Sequence, residues 1–219
     1  MEIIIRPYTS DDRKAVRHIY GIDEFCRPKL LEKYPKLAEF MADDMSYYPD
    51  YEPESLFVAQ VDEQVVGALL GAVDTDRFEQ IYHHHIRPTI WRRVLTGSYG
   101  WPGWIPAYWL TDWAENHRKL KPVQVDRCQY PAHLHIGVLP GYRRLGLGTK
   151  LMECYAEYLR SRYLNGYHLF ASSFHYLGVS FYKKLGLEVL GQFDWQLHTG
   201  YEWVNVTETI FGRRINGSA

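Results

Sequence analysis

Val138-Leu-Pro-Gly-Tyr-Arg-Arg-Leu-Gly-Leu-Gly-Thr149 is the stretch on which the reading of this chain turns. An apolar run, His133 to Leu139, reads as a strand closed by Pro140-Gly141. After Arg143, Arg144 and Leu145, the residues Gly146, Leu147, Gly148 and Thr149 open a helix. Its apolar positions Leu147, Leu151, Cys154 and Tyr158 recur at helical spacing. At a helix start the first backbone N–H groups have no internal partner, and the aligned peptide dipoles add partial positive charge. Glycine lets an anion approach that backbone, and two arginines add charge at its mouth. Together these describe a pyrophosphate cradle. The spacing is neither the dinucleotide fingerprint G-x-G-x-x-G nor the P-loop, which needs Lys directly after its second glycine. Taken alone, the fragment reads more simply as a tight turn beside a solvated basic edge.

Downstream, Asn165-Gly166 stops the helix, and Tyr167 to Ser172 is a strand. Gly178 to Leu185 is a short helix closed by Gly186, and strands follow around Leu187 to Trp195 and Tyr201 to Val206. Upstream, Ile3 to Ile5 is a short strand. Thr9 and Asp12 have capping-box spacing ahead of a helix carrying Ala15, Val16, Ile19 and Tyr20. The segment from Arg27 to Pro53 predicts a second helix (Leu30 to Met45) and a loop. Leu56 to Val61 and Val65 to Val73 flank Asp62-Glu63-Gln64 as a hairpin. The stretch from about Asp74 to Tyr130 has no strand period and reads as one or two helices with long connections, inserted into the fold. It holds Trp91, Trp101, Trp104, Trp109 and Trp113, five of the seven tryptophans.

The chain has 219 residues, 46% hydrophobic and 23% charged, which suits a single domain with a real core and excludes a disordered or collagen-like chain. Lys and Arg total 25 against 26 Asp and Glu, a formal charge of -1, so the basic excess of a nucleic-acid binder is missing. No apolar run approaches the roughly 20 residues that span a bilayer, and no charged-then-apolar leader opens the chain. Cys26, Cys128 and Cys154, odd in number and far apart, read as reduced thiols. The expectation is a cytoplasmic protein without nucleic-acid or membrane partners.

R-x-x-G-x-G after V-x-P on a strand resembles the acyl-CoA signature of the GNAT superfamily of N-acetyltransferases. Ser180-Phe-Tyr-Lys-Lys-Leu-Gly-Leu187 is similar to that family's second motif, and one helix and one strand separate the two, as in the family. Ile4-Ile-Arg-Pro7 before a capped helix resembles the usual opening. Tyr130-Pro-Ala-His-Leu-His-Ile136 further resembles microbial relatives of the C-terminal acetyltransferase-like domain of O-GlcNAcases. The resemblance implies an α/β (α+β) fold. A central mixed, mostly antiparallel sheet is flanked by helices, with a Trp-rich helical insertion before the cofactor-binding strand. The whole chain, 1–219, is then one domain, and its insertion, about 74–130, shapes an acceptor pocket. The implied activity is transfer of an acetyl group from acetyl-CoA, as co-substrate, to a primary amine of a small molecule or protein. The backbone of Ile136, Gly137 and Val138 would hold the pantetheine arm. The amides from Arg143 to Thr149 (Arg143, Arg144, Leu145, Gly146, Leu147, Gly148 and Thr149) would hold the pyrophosphate. His175 stands where the family often has a cofactor-contacting Asn. Val138 N–H would face the developing oxyanion, and Tyr182 would reprotonate the leaving thiolate, whose basicity a phenol matches.

A general base is open. His133 and His135 alternate on the strand and so face one side. Either can take a proton near neutral pH, or both are structural and a water chain serves instead. Asp74 and Asp76 could attract a cationic amine. His83-His84-His85 is not read as a metal site, because consecutive side chains diverge and no carboxylate or Cys pair stands at ligand spacing. The tryptophans are either the core of a helical lobe or the wall of the acceptor pocket. The competing reading is a non-catalytic acyl-CoA-binding or protein-interaction module of the same fold. Exposed strands or the aromatic insertion could pair two copies as a homodimer.

Overall fold

A computed structural model describes residues 2–21, 32, 34–100, 123–173, 176–198 and 203–215. His175, Cys26 and the four tryptophans from Trp101 to Trp113 lie outside the described residues. Seven strands form one sheet: β1 (Ile3–Pro7), β2 (Leu56–Val61), β3 (Gln64–Ala72), β4 (Ala132–Val138), β5 (Gly166–Ser172), β6 (Glu188–His198) and β7 (Trp203–Arg214), in the order β1-β2-β3-β4-β5-β7-β6. All neighbouring pairs are antiparallel except β4 with β5. The fold is thus the mixed, mostly antiparallel sheet flanked by helices that the sequence led us to expect.

The helices are α1 (Arg13–Gly21), α2 (Leu37–Asp44), α3 (Tyr47–Tyr51), α4 (Thr75–Ile81), α5 (Arg87–Leu95), α6 (Leu147–Ser161) and α7 (Tyr176–Lys184). Alternation along the central strands gives each sheet face its own core. Ala68, Leu70 and Ala72 of β3 pack with Val16 and Ile19 of α1, Phe40 of α2, Tyr47 and Tyr48 of α3, and Ile90 and Val94 of α5. Leu69, Leu134 and Leu169 face the other way, onto Leu147, Leu151, Tyr155 and Leu159 of α6 and Tyr182 of α7.

Close approach of α6 depends on Gly71. A Cβ there would overlap the Tyr155 ring and meet Ser55 O at 2.8 Å. Through that gap the Tyr155 hydroxyl donates toward Ala72 O (3.1 Å) and His133 O (3.0 Å), tying the helix to β3 and β4. At the opposite end of the chain order, Asp12 accepts from Thr9 N (2.8 Å) and from both terminal nitrogens of Arg6 (2.7 and 2.8 Å), so the expected capping-box residue also fastens β1.

Several elements differ from expectation for local reasons. Of the helix expected at Leu30 to Met45, residues 30, 31 and 33 lie outside the described residues. Glu32 is helical, the helix is interrupted at Tyr34, before Pro35, whose ring disfavours helical geometry in the residue before it, and α2 follows from Leu37. The expected loop beyond it contains α3. Its Pro49 sits in the first turn, where the missing N–H costs nothing. Between α4 and α5, Tyr82–Ile86 forms a π-helical turn, so 75–95 is one nearly continuous helical run. Strand β7 extends through Arg214, beyond the expected Val206, because Glu208 to Gly212 pair with β5 on one side and β6 on the other, and Arg213 and Arg214 go on pairing with β5.

Candidate active site

The sheet opens at one place. β4 pairs with β3 from His133 to Val138, yet with β5 only at Ala132↔Tyr167 and His133↔His168. Beyond His133 the two strands diverge. Leu139 N donates to Val66 O (2.9 Å), which fixes the hydrogen-bonding phase of the β3–β4 ladder. Residues 139, 137 and 135 therefore bond to β3, while the N–H and C=O groups of Ile136 and Val138, beyond the last rung with β5, point into the gap. Arg143 Nε reaches Val138 O there at 3.0 Å, across the turn at the end of the strand. Of the residues expected to hold a pantetheine arm, Ile136 and Val138 present backbone groups to the gap. Gly137 presents its own to β3.

The turn itself is backbone-strained in the manner an anion site needs. Arg144 (φ 65°) and Gly146 (φ 78°) are left-handed, and no side chain caps the start of α6. A non-glycine residue in that region costs on the order of 1 kcal/mol, so Arg144 is held there by its surroundings. A Cβ on Gly146 would meet nothing within 4 Å, leaving open space above the first amides of α6. Gly148 is glycine for another reason, since a Cβ would stand 3.0 Å from the Phe181 ring of α7. Leu147 is buried in the core and anchors the turn. Leu145 and Arg144 are exposed, and Arg143 and Thr149 are half-buried.

On β4, the side chains of His133 and His135 stand opposite Ala72 and Leu70 and so face α3 and α4, as the strand period predicted. The two histidines differ sharply. His133 is buried, with Nε2 2.9 Å from the Tyr48 hydroxyl and Nδ1 2.9 Å from Thr75 Oγ1. His135 is half-buried and touches the Tyr48 ring (5.7 Å) and the His133 ring (6.2 Å) edge-on; among the described residues it makes no hydrogen bond. Burial holds the pKa of His133 well below its usual value and brings that of His135 down to about 4. Both are therefore neutral at physiological pH.

A third histidine, His168 of β5, was not anticipated; its ring lies 5.9 Å from that of His133. Its Nδ1 lies 3.1 Å from Tyr130 O, which can only accept, so Nδ1 carries the proton. Nε2 then accepts from Arg127 (2.9 Å), and burial followed by the Arg127 charge brings its pKa to about 4. No sequence signal short of the β4–β5 pairing would bring it to this site. Glu52 was also missed. It is buried, accepts from Val73 N (2.7 Å) and Tyr47 Oη (2.9 Å), and fastens α3 to the end of β3; burial raises its pKa.

Tyr182 is 8% exposed, its ring 5.5 Å from that of Phe211 and 5.2 Å from that of Phe181. Asp74 caps α4, accepting from Asp76 N and Arg77 N at 3.0 Å each, and Asp76 lies 3.8 Å from Arg127. The carboxylates considered for attracting an amine are thus engaged in local structure. His83, His84 and His85 are exposed on the π turn, and among the described residues no group of His, Cys, Asp or Glu is placed to hold a metal ion.

The splayed strand pair, the left-handed turn and the uncapped helix coincide with residues 113–189, which match the family model for the acetyltransferase (GNAT) domain. In that stretch the chain is similar to GNAT acetyltransferase domains. The structure called SsHAT is 27% identical, with TM-score 0.71 over 99% of this chain and 100% of that one. YncA from Salmonella typhimurium, solved with its cofactor acetyl-CoA, is 15% identical with TM-score 0.54, covering 100% of this chain and 97% of its own. An agmatine N-acetyltransferase is 14% identical with TM-score 0.57, over 98% and 100%. At the latter two identities the likeness concerns the GNAT fold alone. No described helix is long and apolar enough to cross a membrane.

Proposed function

We propose that the protein transfers the acetyl group of acetyl-CoA directly to a primary amine. The observation that carries this reading is the junction of two features. The edge of β4 left open by β5, at Ile136 and at Val138 N–H (Val138 O takes Arg143 Nε), runs into a left-handed turn, and the turn ends on the uncapped N-terminus of α6 with open space beside Gly146. An extended amide-bearing arm fits the first as an added strand partner, and a pyrophosphate fits the second. Acetyl-CoA supplies the activated acyl group; the remaining work falls to the protein.

Val138 N–H, aimed into the gap, is placed to stabilise the negative charge that develops on the carbonyl oxygen. Tyr182, on the helix packed against β5, is assigned the proton donor to the departing thiolate. His135, with open ring nitrogens on the face of β4 turned toward α3, is assigned the proton acceptor on the amine side. His133 has both nitrogens committed and is assigned to structure. Two strands holding the reactants in line contribute by positioning.

Calorimetric titration of acetyl-CoA, CoA and NAD into the protein tests the cofactor. Micromolar affinity for the first two without NAD binding supports the reading, and absence of acetyl-CoA binding removes it. An amine panel with thiol detection then tests turnover. Tyr182→Phe is expected to lower kcat by roughly 10²-fold with little change in KM. An unchanged kcat would take Tyr182 out of the mechanism.

A further inference from the structure

The hydrogen bonds around His133 have only one consistent direction. Thr75 Oγ1 lies 2.7 Å from Pro131 O, and a carbonyl can only accept, so the single threonine proton is spent there. Toward His133, Thr75 must accept, which puts the imidazole proton on Nδ1. Nε2 is then a lone pair, and Tyr48 must donate its hydroxyl proton to it. The chain runs from Tyr48 through His133 and Thr75 to Pro131, every proton assigned by the carbonyl at its end. A second proton on His133 would turn Tyr48 from donor into acceptor and take away the acceptor of its own hydroxyl proton inside the core, where an unmade hydrogen bond is costly.

We propose that Tyr48 is a positioning residue: by donating to His133 it adds to burial in keeping that imidazole uncharged, and it thereby helps preserve the proton affinity of the adjacent His135. This rests on the assignment of His135 as proton acceptor for the amine. The coupling has a physical size. The rings are 6.2 Å apart, and a unit charge on His133 at that distance would lower the proton affinity of His135 by on the order of a hundredfold at an effective dielectric of about 20. The Tyr48 ring touches both histidines, at 5.9 and 5.7 Å, so one side chain sets the protonation of the first and the packing of the second.

Other groups face His133 as well. His168 stands across the strand pair with Arg127 behind it, and Arg127 is held by Glu79 at 2.7 Å. The Phe78 ring of α4 lies 4.5 Å from the His133 ring. The positive and neutral groups among these all oppose a charge on His133, and Tyr48 is the one that does so through a proton it holds.

The test combines Tyr48→Phe, Thr75→Val and Thr75→Ser with nitrogen-15 NMR of the histidine rings in the intact protein, without ligand, and with the pH dependence of kcat. In the parent, His133 is expected as the Nδ1–H tautomer, still uncharged well below the pH at which a free histidine takes up its proton. In Tyr48→Phe, His133 is expected to titrate at higher pH. The His135 ring nitrogens should shift in the same step, and the acid limb of kcat should move upward in pH while KM for acetyl-CoA stays within about twofold of the parent value. Thr75→Val should disturb the His133 tautomer, and Thr75→Ser should restore it. An Nε2–H tautomer in the parent overturns the proton chain. An altered His133 with unmoved His135 resonances overturns the coupling. If the parent has no acetyltransferase activity, the function proposed above fails, and the ring titrations decide the coupling without it. If Tyr48→Phe does not fold, the Thr75 pair decides by the same spectra.

Discussion

Gly146 and Gly148 stand two apart, and the reason for a glycine differs at each. Gly146 is favoured by its left-handed backbone, although the space beside it is open; at Gly148 a Cβ would crowd the ring of Phe181. Substituting alanine at Gly146 should cost about 1 kcal/mol of stability through the backbone alone and leave acetyl-CoA affinity within a few-fold. Glutamate there should abolish affinity, because its charge would enter the space proposed above for the phosphates. Thermal unfolding and calorimetry of the two variants separate these effects; acetyl-CoA affinity of parental strength in Gly146→Glu would move the site elsewhere. The sequence motif made these residues candidates, but the division of labour between the two glycines is set by α7, which the motif does not contain. At the same scale, the alternation of His133 and His135 was legible from the strand period. Which of them keeps open nitrogens was not, because that depends on Tyr48 and Thr75, distant in sequence and brought near by helices packed on β4.

Between elements, the contact that seats the site is α6 against β3. Tyr155 occupies the place where any residue at 71 other than glycine would put its Cβ, and its hydroxyl lies across Ala72 O and His133 O. Gly71→Ala should therefore destabilise by about 3 kcal/mol or more, since the ring is fully buried and has nowhere to go. Chemical denaturation measures it, and a loss below about 0.5 kcal/mol would show that α6 can shift freely. Helix α6 itself was plain in the sequence from its apolar spacing. The short helix α3 was not, because a five-residue segment with an internal proline carries no periodic signal. Yet α3 brings in Tyr48. Strand β7 was recognised only in its first part, since insertion between β5 and β6 is a long-range pairing that no local pattern encodes.

For the molecule as a whole, three neutral histidines gather where the sheet divides. In the unfolded chain a histidine takes up its proton near pH 6.5, whereas burial holds His135 and His168 to about 4 and His133 well below its usual value. Between those limits the unfolded state binds more protons, so stability is complete above about pH 6.5 and is lost as pH falls toward 4. The loss should amount to a few kcal/mol in total, seen as a falling Tm across that window. His168→Gln, which keeps a polar side chain against Arg127, should flatten the slope. A Tm independent of pH from 7 to 4.5 would show that the three rings are solvated and protonated in the folded protein.

The parting of β4 from β5 has a further consequence, which is kinetic. Along one short strand, neighbouring amides belong to different worlds: those of residues 135 and 137 are locked into the ladder with β3, whereas those of Ile136 and Val138 open onto the cleft. In the ligand-free protein, hydrogen–deuterium exchange should therefore alternate residue by residue, fast at 136 and 138 and slow at 135 and 137. A bound acyl carrier that completes the missing ladder should erase the alternation by slowing the even-numbered amides alone. Uniform exchange along β4 in the free protein would mean that the gap is closed in solution. The seam in the sheet would then be a door that the ligand must open rather than a slot waiting for it.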